Sequence, residues 1–226
     1  MDSVRLDRFV AGRPSPFATA GERPWKDAIA ADLTALRPSP QGAFLELDFV
    51  VAPAIGYAGG ADLDNLSEPV FSVLINRLGW FGGSRPNVRA FRARKALAQQ
   101  TGCRIRVTDE RWTDSWIEGP VLLAGASTGP LPMSARDDGF AAWAAKTMTR
   151  PASPSAAVGV ELRFAGPINL GDIATGRLKN VIDCLYPVLG GRKGAPNDAR
   201  ITALEATRMA AGVESGVHVR VAGLSR

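Results

Sequence analysis

Phe44-Leu45-Glu46-Leu47-Asp48-Phe49-Val50 and Val158-Gly159-Val160-Glu161-Leu162-Arg163-Phe164 are two seven-residue stretches with one pattern. Each alternates apolar and polar positions, which predicts a strand with one face buried. Each follows a Pro-rich linker, Arg37-Pro38-Ser39-Pro40 in one case and Arg150-Pro151-Ala152-Ser153-Pro154 in the other. Ahead of each linker lies a predicted helix, Pro24 to Leu33 and Gly139 to Lys146. Ahead of each helix lies a predicted strand, Arg8 to Pro16 and Val121 to Gly125. After each long strand come a Gly-containing loop, a second helix and two more strands. Those helices run to about Leu78 in the first case and over Leu178 to Leu185 in the second. The closing strands fall near Val88 to Arg94 and Cys103 to Val107, then Ile201 to Ala206 and Val217 to Val221. Trp25 matches Trp143, Phe49 matches Phe164, Leu74 matches Leu185, and Pro86-Asn87 matches Pro196-Asn197. The offset shrinks from 118 (Trp25 to Trp143) to 110 (Pro86 to Pro196), a drift that small loop changes explain. The chain therefore reads as a tandem duplication of a β-α-β-α-β-β unit, an α+β layer fold with helices over one face of a sheet. The boundary falls between Asp109 and Glu118, giving units 1–115 and 116–226, with Trp112 and Trp116 expected to pack between them.

Composition sets the outer limits. With 226 residues, 46% hydrophobic and 22% charged, the chain has an ordinary globular make-up and length enough for one large core or two small ones. No run of 18 apolar residues exists, so no membrane partner is expected, and Met1 to Arg8 lacks the apolar core of a secretory signal. Two distant cysteines, Cys103 and Cys184, predict buried thiols in a cytoplasmic protein, since they form neither a disulfide framework nor a zinc spacing. The single histidine, His218, sits in an alternating stretch and is expected at a strand surface. One histidine argues against histidine-rich metal sites and histidine-paired nucleophiles.

Chemistry concentrates at Asp62-Leu63-Asp64-Asn65-Leu66, at the start of the first unit's second helix. Carboxylates this close repel one another unless something neutralises them, and a hard divalent cation with oxygen ligands does so. Asp and Asn also cap helices, which is a purely structural use of the same residues. Net charge is +5, a modest lean toward polyanionic partners. No acid occurs between Glu68 and Asp109, while Arg77, Arg85, Arg89, Arg92, Arg94, Lys95, Arg104 and Arg106 do. A basic strip beside an acidic cluster suits a nuclease, in which cations hold backbone phosphates and carboxylates hold metal. A solvated strand face is the plainer alternative. Gly190-Gly191-Arg192-Lys193-Gly194 is a second basic turn suited to phosphate contact. Trp80 and Phe81 suit core packing or insertion into DNA.

The order of these elements resembles the RusA family of Holliday-junction resolvases. A first strand ends in Gly12-Arg13-Pro14-Ser15-Pro16, and Asp62 to Leu66 matches the family's Asp-x-Asp-Asn-Leu helix start. The resemblance implies a Mg²⁺-dependent (or Mn²⁺-dependent) endonuclease that cuts branched DNA. It also makes this chain the counterpart of a covalent dimer, a single-chain pseudo-dimer. The family's helix lysine and late acidic pair are divided between the copies. The first copy has Glu68 in place of the lysine and no late acid. The second copy has Lys179, Asp183 and Asn197-Asp198, but its leading motif is reduced to Asp172-Ile173-Ala174-Thr175-Gly176.

Three readings follow from that division. In a composite site, Asp62, Asp64 and Asp198 hold the metal, Lys179 stabilises phosphate charge, and Arg85, Arg89, Arg92, Arg94, Lys95, Arg192 and Lys193 grip DNA. Alternatively the first copy acts alone, or the chain is a catalytically inactive DNA-binding or scaffold module on the same fold. The composite reading requires the three Asp carboxylates to lie within about 4–8 Å of one another. Further self-association is left open by the sequence.

Overall fold

The computed structural model describes residues 4–36, 44–52, 61–82, 88–153, 156–166, 168–171, 176–209 and 215–224. In chain order, strand β1 (Val4–Ala11) leads to helix α1 (Glu22–Leu33), β2 (Phe44–Val51) and α2 (Leu63–Ser72). A wider helical turn, Val73–Arg77, continues α2 toward β3 (Ala90–Leu97) and β4 (Gly102–Thr108). Next come β5 (Val121–Thr128), α3 (Asp138–Thr147), β6 (Val158–Ala165), α4 (Arg177–Asp183) and α5 (Tyr186–Leu189). A small hairpin of β7 (Gly191–Arg192) and β8 (Ala195–Pro196) precedes β9 (Ile201–Arg208) and β10 (Gly216–Gly223). The predicted α+β class is observed. The short α5 and the β7–β8 hairpin occupy what reads in sequence as the end of one helix and a loose basic turn.

Eight strands form a single mixed sheet in the order β1-β4-β2-β3-β9-β6-β10-β5. The β2–β3 and β6–β9 neighbours are parallel and the others antiparallel. From either edge the order reads alike: first strand, last strand, long strand, inner strand. The two inner strands, β3 and β9, join the halves through the register Ala90↔Thr207 to Arg94↔Ala203.

Alternation sorts side chains between the two faces of this sheet. Leu45, Leu47 and Phe49 of β2 and Val160, Leu162 and Phe164 of β6 are fully buried. They share one apolar cluster with Trp25, Ile29 and Leu33 of α1, Leu66, Val70 and Phe71 of α2, and Leu178 and Val181 of α4. Phe71 meets Phe91 of β3 edge to face at 5.1 Å between centroids. Trp80 and Phe81 are buried in the same cluster, so their role is packing. Both cysteines are buried and free, and His218 is exposed on β10. Among the described residues, no helix is long and apolar enough to cross a membrane.

The opposite face carries charge. The arginines that follow one another in β3 and β4 meet acids from neighbouring strands. Arg94 pairs with Asp48, Arg104 with Asp7, and Arg106 with Asp7 and Glu46. Arg92 is 4% exposed and donates to Glu46 through both Nε and Nη2. Its guanidinium lies against the rings of Trp112 and Trp116, and the latter also stacks on Arg94. The Trp116 backbone N–H donates to Glu205 of β9, while Ile117 packs on Ala203 and Ala222. Gly159 permits that approach, because a Cβ there would lie 2.8 Å from Ile117. The segment between β4 and β5 thus touches strands on both sides of the central β3–β9 pair.

Arg92→Met would leave the buried Glu46 carboxylate with only its longer contact to Arg106, at 3.7 Å. A loss of about 3 kcal/mol is expected in urea denaturation, and Glu46→Gln in the same chain should recover part of it.

Candidate metal centre

Three carboxylates converge on the helix-covered side of the sheet. Asp62 precedes α2, Asp64 lies in its first turn, and Asp198 begins a short helical turn (Asp198–Arg200) before β9. Each offers an oxygen, and these oxygens all lie within 4.8 Å of one another. That meets the separation the composite reading requires. Asp62 stands at the N-cap position with extended backbone, yet its side chain makes no capping hydrogen bond. It accepts instead from Asn65 Nδ2 at 3.1 Å. The capping use of Asp62 is therefore not what the structure contains.

Local sequence fixes the elements that present these groups. Pro69 sits inside α2 and has no N–H to give to the carbonyl of Asn65, four residues earlier. That carbonyl accepts from the backbone N–H of Phe17 at 2.9 Å, which ties the loop after Pro14-Ser15-Pro16 to the acidic turn. Ser67 Oγ donates to the Leu63 carbonyl within the same turn. On the other side, Arg200 is buried and anchors the Asp198 turn. Its guanidinium donates to the carbonyls of Ala156 and Leu189 (2.9 Å each) and also to that of Ser153.

Two lysines enter the cluster. Lys179 of α4 places Nζ 2.9 Å from Asp64, 3.4 Å from Asp183 and 4.0 Å from Asp198. Lys95 of β3 donates to the carbonyls of Ala61 and Ala199, at 2.7 Å each. Asp64 is 2% exposed, so these charges act in a medium that screens them weakly. With all groups ionised, Asp62, Asp64, Asp183 and Asp198 carry four negative charges against two positive ones.

That excess is visible in the protonation equilibria. Burial and then the charges of Asp62 and Asp64 push Asp198 up to about 7. Asp62 is raised by burial and by Asp64, and Asp183 is raised chiefly by burial. The lysines move in opposite directions although they share the same acids. Burial lowers Lys95 to about 8, against the pull of Asp62, Asp198 and Asp64. For Lys179 burial is outweighed by Asp64, Asp183 and Asp198, and its pKa rises. The difference follows from contact: Lys179 touches carboxylates, whereas Lys95 donates to the neutral carbonyls of Ala61 and Ala199.

The remaining expected residues fall in different places. Arg92 is buried in its Glu46 pair, and Lys95 faces the acids, so neither lies on an open phosphate-binding strip. Arg94 is exposed but paired with Asp48. Arg89 and Arg192 are exposed, and Lys193 reaches Asp138 at 2.5 Å. Arg85 and the Asp172 motif lie outside the described residues. The place of Lys95 is legible in strand parity: it shares the side of Phe91 and Ala93, opposite Arg92 and Arg94. Asp183 enters the cluster one helical turn after Lys179, as the i, i+4 spacing suggests. No protein-family model matches the chain, and no curated protein matches it.

Because Asp198 keeps its proton to higher pH when folded than its ordinary 3.8, the folded state binds more protons between those values. Stability of the metal-free protein should therefore fall as pH rises from about 4 to about 7. Asp7, Asp32 and Glu22 are lowered by their basic partners and act in the opposite sense, at lower pH. Thermal melts at about pH 5.5 and 7.5 should show the lower midpoint at the higher pH. Asp198→Asn should reduce that difference and raise the midpoint at pH 7.5.

Proposed function

We propose that this chain is a divalent-metal-dependent endonuclease for branched DNA, resembling the Holliday-junction resolvases of the RusA family. In this reading 1–115 and 116–226 are two tandem copies arranged as a single-chain pseudo-dimer with one composite site. The observation that carries the proposal is the convergence of Asp62 and Asp64 from one half with Asp198 and Lys179 from the other. The strand order, alike from either edge of the sheet, supports the duplication. Two free buried thiols suit a cytoplasmic place of work.

The donor set fits Mg²⁺ or Mn²⁺: three carboxylates, all hard oxygen ligands, on rigidly anchored turns. A bound ion supplies Lewis acidity and an activated water for phosphodiester hydrolysis. The chain's own groups do the rest. Asn65 orients Asp62 through its amide. Lys179, held protonated by its acids, offers a positive charge beside the triad for the phosphoryl oxygens. Arg89 and Arg192 supply exposed cations for backbone phosphates, independent of base sequence.

A second reading, an inactive DNA-binding or scaffold module, draws on a different observation. Arg92, Arg94, Arg104 and Arg106 are engaged with acids of adjacent strands, which leaves less free positive surface than the sequence suggests.

The test is cleavage of a synthetic four-way DNA junction with Mg²⁺ or Mn²⁺. Wild type should cut, and Asp64→Asn should cut at least about 100-fold more slowly while still binding the junction. Binding by wild type that weakens with salt but yields no incision supports the inactive DNA-binding module instead, and no binding at all supports the scaffold.

A further inference from the structure

We infer that Lys95 is a positioning residue that staples the loop bearing Asp62 to the turn bearing Asp198, and so assembles the acidic site from its two halves. The geometry is specific. A single nitrogen donates at 2.7 Å to the carbonyl of Ala61, the residue before Asp62, and at 2.7 Å to that of Ala199, the residue after Asp198. Both carbonyls belong to backbone outside regular strands, and Ala61 is fully buried. The two segments have no shared ladder: Asp62 leads into a helix, and β9 pairs with β3 and β6. Lys95 is the β3 residue next beyond the last pair of the β3–β9 register, Arg94↔Ala203. Its stem therefore rises at the point where the two halves meet. The functional consequence rests on the metal reading proposed above; the staple itself does not.

A counter-ion role would be the plain alternative, and it predicts the opposite sign. A positive charge amid three carboxylates repels an entering divalent cation, so deleting it should tighten metal binding. Deleting a staple should loosen the ligand set and weaken binding, as happens when groups that orient metal ligands are removed.

The experiment uses the full chain, with Mn²⁺ alone as probe and no DNA. Mn²⁺ affinity is measured by calorimetry for wild type, Lys95→Met and Asp62→Asn. Hydrogen exchange is followed on the same metal-free proteins. Weakening of Mn²⁺ binding by at least about tenfold in Lys95→Met is expected. Amide exchange should be several-fold faster at 61–66 and 198–201 and unchanged in β6 and β10. Equal or tighter Mn²⁺ binding by Lys95→Met, with unchanged local exchange, overturns the staple. Failure of wild type to bind Mn²⁺ at all contradicts the metal reading alone, and the exchange data then decide the staple by themselves. Lys95→Gln, which removes the charge but keeps a polar head on a shorter stem, replaces Lys95→Met if that variant does not fold.

Discussion

The antiparallel pairing of β3 with β9 is the constraint from which the site follows. It fuses two four-stranded halves into one sheet and sets Arg94 opposite Ala203. With that register fixed, the end of β3 runs beside the start of β9. Lys95 then lies near the Asp198 turn, and α2 brings Asp62 and Asp64 in over the same end of the pair. Slipping β3 by one residue in this register would turn Lys95 and the buried Ala93 to the charged face and expose apolar surface along β3. Burial of Phe91, Ala93, Leu204 and Ala206 on the helix side opposes that slip.

The site is held in electrostatic tension. Four acids and two lysines are packed with little water access, and the acids outnumber the bases. Desolvation and mutual repulsion raise Asp62, Asp183 and Asp198, with Asp198 reaching about 7. Structures tolerate such an arrangement when binding a cation relieves it, and perturbed carboxylates of this kind cluster at functional sites. The opposite face shows the contrasting case. There Asp7, Glu46 and Asp48 are each paired with arginines of neighbouring strands, and the charges serve the architecture.

Much of the fold was legible in sequence because period-two alternation and helix spacing are local signals. The long strands, the four principal helices and the acidic helix start lie within a few residues of their expected bounds. What sequence order concealed was lateral. The run without acids from Glu68 to Asp109 looks like a bare basic strip, yet Arg92, Arg94 and Arg104 are answered by acids some 46 residues earlier in β2 and about 97 earlier in β1. Lys95 lies next to those arginines in sequence, although its parity sets it on the other face. The convergence of Asp62, Asp64 and Asp198 depended on how the halves join, which no local pattern states. The short hairpin after α5 also escaped, since two-residue strands carry no period.

Diffraction from crystals of the full chain soaked in Mn²⁺, with data collected for the metal's anomalous signal, addresses the central claim most directly. The account predicts a peak bounded by the carboxylates of Asp62, Asp64 and Asp198. It also predicts that Lys95 keeps its hold on the Ala61 and Ala199 carbonyls. An anomalous map with no peak there, or with Asp198 turned away from Asp62 and Asp64, would contradict a metal centre built across the two halves.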